Sequence, residues 1–139
     1  MKMNDSNPNE IQVGGDHYQS ALQHWDFVAK NNIPYHEGNA TRYLSRWRKK
    51  NGVQDLEKAL HYVNKIISLC EDGVKTPPGD AMSGELQYEV WEFAKAYGLS
   101  RPEAHCCYLI CNWRGVEDLL SAKETIKQII RYQNESRGS

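Results

Sequence analysis

The sequence predicts an all-α fold in which two degenerate tandem helical hairpin units pack as one domain. The first support is an internal repeat. Trp25, Phe27, Ile33, Glu37, Trp47 and Arg48 recur as Trp91, Phe93, Leu99, Glu103, Trp113 and Arg114, at a constant offset of 66 positions. After a three-residue deletion the offset is 63, and Gly52, Val53, Asp55, Leu56 and Ala59 recur as Gly115, Val116, Asp118, Leu119 and Ala122. The second support is apolar spacing of three and four with no sustained alternation of the strand kind. The third is size: 139 residues, 40% of them hydrophobic, supply one compact core but are short for two independent domains.

In chain order, residues 1–12 read as a flexible polar lead-in, with at most a minor strand near Val13. Residues 13–70 form the first unit. Its first helix places Leu22, Trp25, Val28 and Ala29 at helical spacing and ends at Asn31-Asn32-Ile33-Pro34. A second helix begins near His36–Asn39, turns Ala40, Tyr43, Leu44 and Trp47 inward, and stops at Lys50-Asn51-Gly52. The third carries Leu56, Ala59, Leu60, Val63, Ile66 and Ile67 as a broad apolar stripe, with Asp55 or a residue just before it as its cap. Residues 71–84, with Gly73, Pro77, Pro78, Gly79 and Gly84, form a linker. Residues 85–133 repeat the programme with helices near Glu85–Tyr97, Pro102–Asn112 and Asp118–Arg131, and 134–139 are expected as a flexible tail. Short hairpins leave apolar stripes to cover, so self-association as a dimer or larger ring is expected.

A net charge of -1 gives no overall pull toward nucleic acid or an anionic membrane, so any polyanion binding must be local. No apolar run is long enough to span a bilayer and the start is polar, which leads to the expectation of a cytoplasmic protein. Cys106, Cys107 and Cys111 crowd one helix; with His105 nearby they suggest a metal site, but zinc signatures join two separated ligand pairs. Buried free thiols are the better reading, and no metal site is assigned.

The repeat points to the candidate site, because the second copy keeps the apolar framework and loses the charge. Arg42, Arg46, Lys58, His61 and Lys65 meet Tyr108, Asn112, Ser121, Glu124 and Gln128, and the deletion removes the counterpart of Lys49. Helical spacing gathers Asn39, Arg42, Arg46 and Lys49 on one side of the second helix, and Lys58, His61, Tyr62 and Lys65 on one side of the third. Guanidinium forks bind phosphate oxygens directionally, and lysine adds an adjustable charge. The competing reading is a solvated helix face. His61 is a candidate for proton transfer, phosphate binding or a plain surface pair. A second polar concentration is Gly14-Gly15-Asp16-His17-Tyr18, where glycines admit a ligand to backbone amides, Asp16 suits a sugar hydroxyl or metal, and Tyr18 suits a base. The alternative there is a tight turn before a helix. No Walker loop is present, so a kinase here needs another way to hold phosphates. Asp16, Glu37 and Asp55 are the loose candidates to organise a metal, and Trp47, Arg48 and Lys50 to form a protein-docking patch.

The order Gly14-Gly15-Asp16-His17-Tyr18, Trp25, Gly38-Asn39, Arg42-Tyr43, Arg46, Asp55-Leu56, Lys58-Ala59 and Tyr62 resembles a small phage family over about residues 13–67. That family was long catalogued as a domain of unknown function and includes the nucleotide kinase of T7-like phages, which has no P-loop. The resemblance implies a phage protein acting in the cytoplasm of the infected bacterium. It further implies a deoxynucleoside monophosphate kinase using ATP; phosphoryl transfer of that kind usually screens the developing charge with Mg²⁺. The glycine loop and the Gly38-Asn39 helix would then contribute to the pocket. Two other functions stand beside it: a non-catalytic protein that sequesters a nucleotide to counter host defence, and an inhibitor that binds a host protein. Nucleic acid is not the expected partner, since its readout calls for a stronger positive excess.

Overall fold

The computed structural model describes residues 23–78 and 86–138. Among them there are six α-helices and no strand: α1 (His24–Lys30), α2 (Tyr35–Arg46), α3 (Val53–Glu71), α4 (Leu86–Tyr97), α5 (Arg101–Cys111) and α6 (Val116–Gly138). The expected strand near Val13 lies outside the described residues.

Local chemistry sets the helix ends. α1 is followed by Asn32 at φ 53 and α4 by Gly98 at φ 67, the left-handed conformation that closes a helix and that Asn and Gly tolerate best. α5 begins in a capping box: Ser100 accepts from the Glu103 amide, Glu103 accepts from the Ser100 amide, and Pro102 lies in the first turn. The expected cap of α3 shifts. Gly52, at φ 62, is the N-cap, and Asp55 sits inside the first turn, where its carboxylate accepts from the Asn51 amide. α2 ends at Arg46, ahead of the expected Lys50-Asn51-Gly52 stop, and α6 continues past Arg131 to Gly138.

Packing brings like to like. α1 meets α4, α2 meets α5, and α3 meets α6, while α2 packs on α3 and α5 on α6. Phe27 and Phe93, equivalent by the 66-residue offset, stack at 4.5 Å and 20° in the centre of the core. Such a pair contributes about 1 kcal/mol beyond the area that it buries. Leu44, Leu56, Val63, Ile66, Ile110, Leu119 and Ile126 fill the rest. Trp25 does not join them. It is 58% exposed, as its equivalent Trp91 is at 43%, and Phe27 occupies the inward position instead.

The stripes expected to remain for self-association are covered within the chain. Leu56, Val63, Ile67, Leu119 and Ile126 are buried and Leu60, Ile129 and Ile130 pack against the core, because α3 and α6 cover each other. The homo-oligomer expectation loses the surface on which it rested. Cys106, Cys107 and Cys111 are buried free thiols, and burial pushes each above its ordinary range, Cys107 to about 12. No described helix is long and apolar enough to cross a membrane.

Candidate functional site

Two buried carboxylates decide which of the expected cations face solvent. Glu103 accepts from Trp47 Nε1 at 2.7 Å and from Arg48 at 2.7 Å, and Glu37 accepts from Trp113 Nε1 at 2.7 Å. Each copy's glutamate therefore holds the other copy's tryptophan. This corrects the docking patch of Trp47, Arg48 and Lys50: Trp47 is buried, and the Arg48 guanidinium lies over its ring at 4.5 Å while paired to Glu103. Desolvating a carboxylate requires such partners, so these groups are structural. Glu37 and Asp55 leave the metal-organising candidates for the same reason. Asp55 is fully buried and held by Arg46 Nε at 3.3 Å and the Asn51 amide at 3.1 Å. Among the described residues no group of three His, Cys, Asp or Glu side chains is placed to hold a metal ion.

What the fold gathers on the outer side of α2 and α3 is a basic and aromatic cluster centred on Tyr43. The Arg42 and Arg46 guanidinium carbons lie 5.8 and 5.3 Å from the Tyr43 ring centroid, and Lys58 Nζ lies 5.4 Å from it. Tyr43 is nearly parallel to Tyr62, with centroids 6.1 Å apart. His61 stands edge-on to Tyr62 at 5.8 Å, His36 lies 6.4 Å from it, and Tyr35 meets His36 at 5.2 Å. Desolvation, then the adjoining Tyr35 hydroxyl, raises the Tyr62 phenol above its ordinary value. An aromatic face attracts cations, so Tyr43 holds the three head groups together against their mutual repulsion.

The expected residues fare differently. Arg42, Arg46, Lys58, His61 and Tyr62 come together. Arg46 is partly neutralised by Asp55, whereas no ion pair of the described residues engages Arg42 or Lys58. Asn39 is spent locally, its side-chain amide donating to the Tyr35 carbonyl at 2.9 Å. Lys49 lies beyond the end of α2, exposed in the turn. Lys65 is exposed further along α3. Gly14, Gly15, Asp16, His17 and Tyr18 lie outside the described residues.

Sequence reasoning missed Tyr35, His36, Tyr43 and His24. Tyr43 was read as core and does pack against it; that its partly exposed ring also gathers cations was signalled by Arg42 beside it and Arg46 three residues on. His24 had no local signal: its ring nitrogen Nε2 is 3.0 Å from Thr41 Oγ1 and its backbone amide donates to the Tyr97 hydroxyl at 2.9 Å, contacts that only folding creates. Thr41 donates its single hydroxyl proton to the Gly38 carbonyl at 3.0 Å, so it accepts from His24, which is assigned the neutral Nε2–H tautomer. Burial first, then the Arg42 charge, lowers the His24 pKa to about 4.

No curated protein and no solved structure matches the chain. Residues 13–64 match the model of a family described as a protein of unknown function, DUF3310. That segment, just over a third of the chain, contains α1, α2 and the part of α3 that bears Lys58, His61 and Tyr62, and over it the chain is similar to DUF3310.

Proposed function

We propose that the α2 and α3 face binds a nucleotide, with phosphate oxygens on Arg42 and Lys58 and the base against the Tyr62, His36 and Tyr35 rings. The observation that carries this reading is the convergence of Arg42, Arg46 and Lys58 on one tyrosine ring, with only Arg46 bonded to a carboxylate of the described residues. A merely solvating face spreads like charges apart; gathering them lowers the cost of docking a multiply charged anion. The second copy has Tyr108, Leu109, Asn112, Ser121 and Thr125 where the first has Arg42, Tyr43, Arg46, Lys58 and Tyr62. On this reading the chain is two tandem hairpin units related by an approximate two-fold axis near Phe27 and Phe93, the first unit holding the ligand and the second serving as its scaffold.

The resemblance to the phage family favours phosphoryl transfer from ATP to a deoxynucleoside monophosphate. An acceptor phosphate oxygen would attack the γ-phosphorus, the bond to the β-γ bridging oxygen would break, and ADP and a deoxynucleoside diphosphate would leave. Catalysis of this kind is chiefly positioning and charge stabilisation, which Arg42 and Lys58 are suited to supply, with Mg²⁺ screening the phosphates. Nucleotide sequestration is the second reading, favoured because among the described residues no group of three His, Cys, Asp or Glu side chains is placed to hold a metal ion beside the phosphates. The host-inhibitor reading loses its patch, since Trp47 and Arg48 are occupied internally.

Calorimetry against nucleoside mono- and triphosphates tests binding. Arg42→Ala is expected to weaken it about tenfold to a hundredfold, the scale of a charge-assisted hydrogen bond, and Arg42→Ala with Lys58→Ala to abolish it with helicity unchanged. Labelled ATP with a panel of monophosphates then separates the two readings: diphosphate products mark the kinase, retention of unchanged ligand the sequestering protein. Wild type that binds no nucleotide would remove both.

A further inference from the structure

Of the two glutamates related by the repeat, one is fully provided for and the other is not. Glu103 Oε1 accepts from Arg48 at 2.7 Å and from the Ser100 amide at 2.8 Å. Glu37 Oε1, equally buried, accepts no directed hydrogen bond from the described residues. The residues 66 positions away explain why. Ser100 corresponds to Pro34, which has no N–H to offer. Arg48 corresponds to Arg114, which is 80% exposed and bonds Asp118 at 3.2 Å instead. Asp118 corresponds to Asp55, whose cation is Arg46; the second copy has Asn112 there, so Asp118 draws on Arg114. The cation left for Glu37 is Lys75, in the segment after α3, with Nζ 3.1 Å from Oε1 and a side chain only 17% exposed.

We infer that Lys75 is an exchangeable latch. It fastens the segment after α3 to the buried Glu37 of α2, and Arg114 is the reserve cation for the same carboxylate, held off by Asp118. The contact is a close ion pair that misses hydrogen-bond direction, unlike the two directed bonds on Glu103 Oε1, so it is the weaker of the two fastenings. Val74 and Lys75 donate their amides to the Leu69 carbonyl at 2.9 and 3.1 Å, so the latch also holds the chain reversal that ends α3. Glu37 shares the first turn of α2 with Tyr35 and His36. The latch thereby braces one end of the aromatic cluster.

The test is a double-mutant cycle on the full chain with two readouts, urea stability and exchange of the Val74 and Lys75 backbone amides. Lys75→Met strands a buried charge, and the folding constant is expected to fall on the order of a hundredfold, with faster exchange at both amides. In an Asp118→Asn background Arg114 is released to Glu37. Lys75→Met is then expected to cost about tenfold or less in stability, while the two amides still exchange fast because the segment remains unfastened. Lys75→Arg should keep both readouts near wild type and covers the case in which Lys75→Met does not fold. An equal stability penalty in both backgrounds would overturn the exchange, and unchanged amide exchange in Lys75→Met would overturn the latch.

Discussion

At the scale of single residues, the two tryptophan to glutamate bonds look alike but stand on unequal support. Trp47→Phe removes one donor from Glu103, which keeps Arg48 and the Ser100 amide. Trp113→Phe removes the only directed donor that the described residues give Glu37 and leaves it with Lys75. Urea denaturation should therefore show a loss of about 1 kcal/mol for Trp47→Phe and a distinctly larger one, toward about 3 kcal/mol, for Trp113→Phe. Equal losses would mean that Arg114 already serves Glu37 in solution. His24 makes the pH prediction. Its folded pKa of about 4 lies below the ordinary 6.5, so the unfolded chain binds the extra proton first as pH falls. Stability is then fully present above pH 6.5 and declines through the window down to about 4, by roughly 3 kcal/mol in all. His24→Gln should flatten that slope in denaturation curves taken across the window.

At the scale of elements, the starts of α3 and α6 differ although their sequences match. Gly52 sits at φ 62 and ψ -133, a region nearly closed to side chains, while its counterpart Gly115 has no positive φ and a Cβ there would meet only the flexible Glu117 carboxylate at 3.1 Å. Gly52→Ala should cost about 1 to 3 kcal/mol and Gly115→Ala well under 1 kcal/mol, measured as shifts in thermal midpoint. The difference has a cause in the chain. The first copy carries three extra residues between the helices, and the turn must absorb them by a backbone excursion that the shorter turn of the second copy does not need.

At the scale of the whole molecule, a core that pairs repeat-equivalent residues carries an asymmetric surface. The inner faces keep paired residues: Phe27 with Phe93, Trp47 with Glu103, Trp113 with Glu37. The outer face of α2 and α3 has its cations and tyrosines, and the corresponding positions on α5 and α6 have none of the positive charges. Nucleotide titration should accordingly saturate at one ligand per chain. Two equivalent sites per chain in calorimetry would show that the basic cluster is not what binds.

The sequence by itself determined the all-α class, the six helices and the repeat, because apolar spacing and capping chemistry are local and the two copies corroborate each other. Residues such as Leu44, Leu56, Val63 and Ile66 were legible as core for that reason. It also singled out Arg42 and Lys58, through the charges missing from their counterparts, and Tyr62, through its spacing from Lys58. Only the tertiary structure decided which of the charged residues are spent. Helical spacing put Arg46 beside Arg42, yet the depth of Asp55 makes Arg46 its partner; Arg48 looked like a surface cation and is tied to Glu103, across the interface between α2 and α5. Tyr43, read as core, does pack against it and is also the ring around which the cations gather, and His24 entered through Thr41 and Tyr97. The physical reason is the same in each case. Burying a carboxylate or an imidazole obliges the fold to bring it partners from distant parts of the chain, and that demand is set by depth, which periodicity along one helix does not measure.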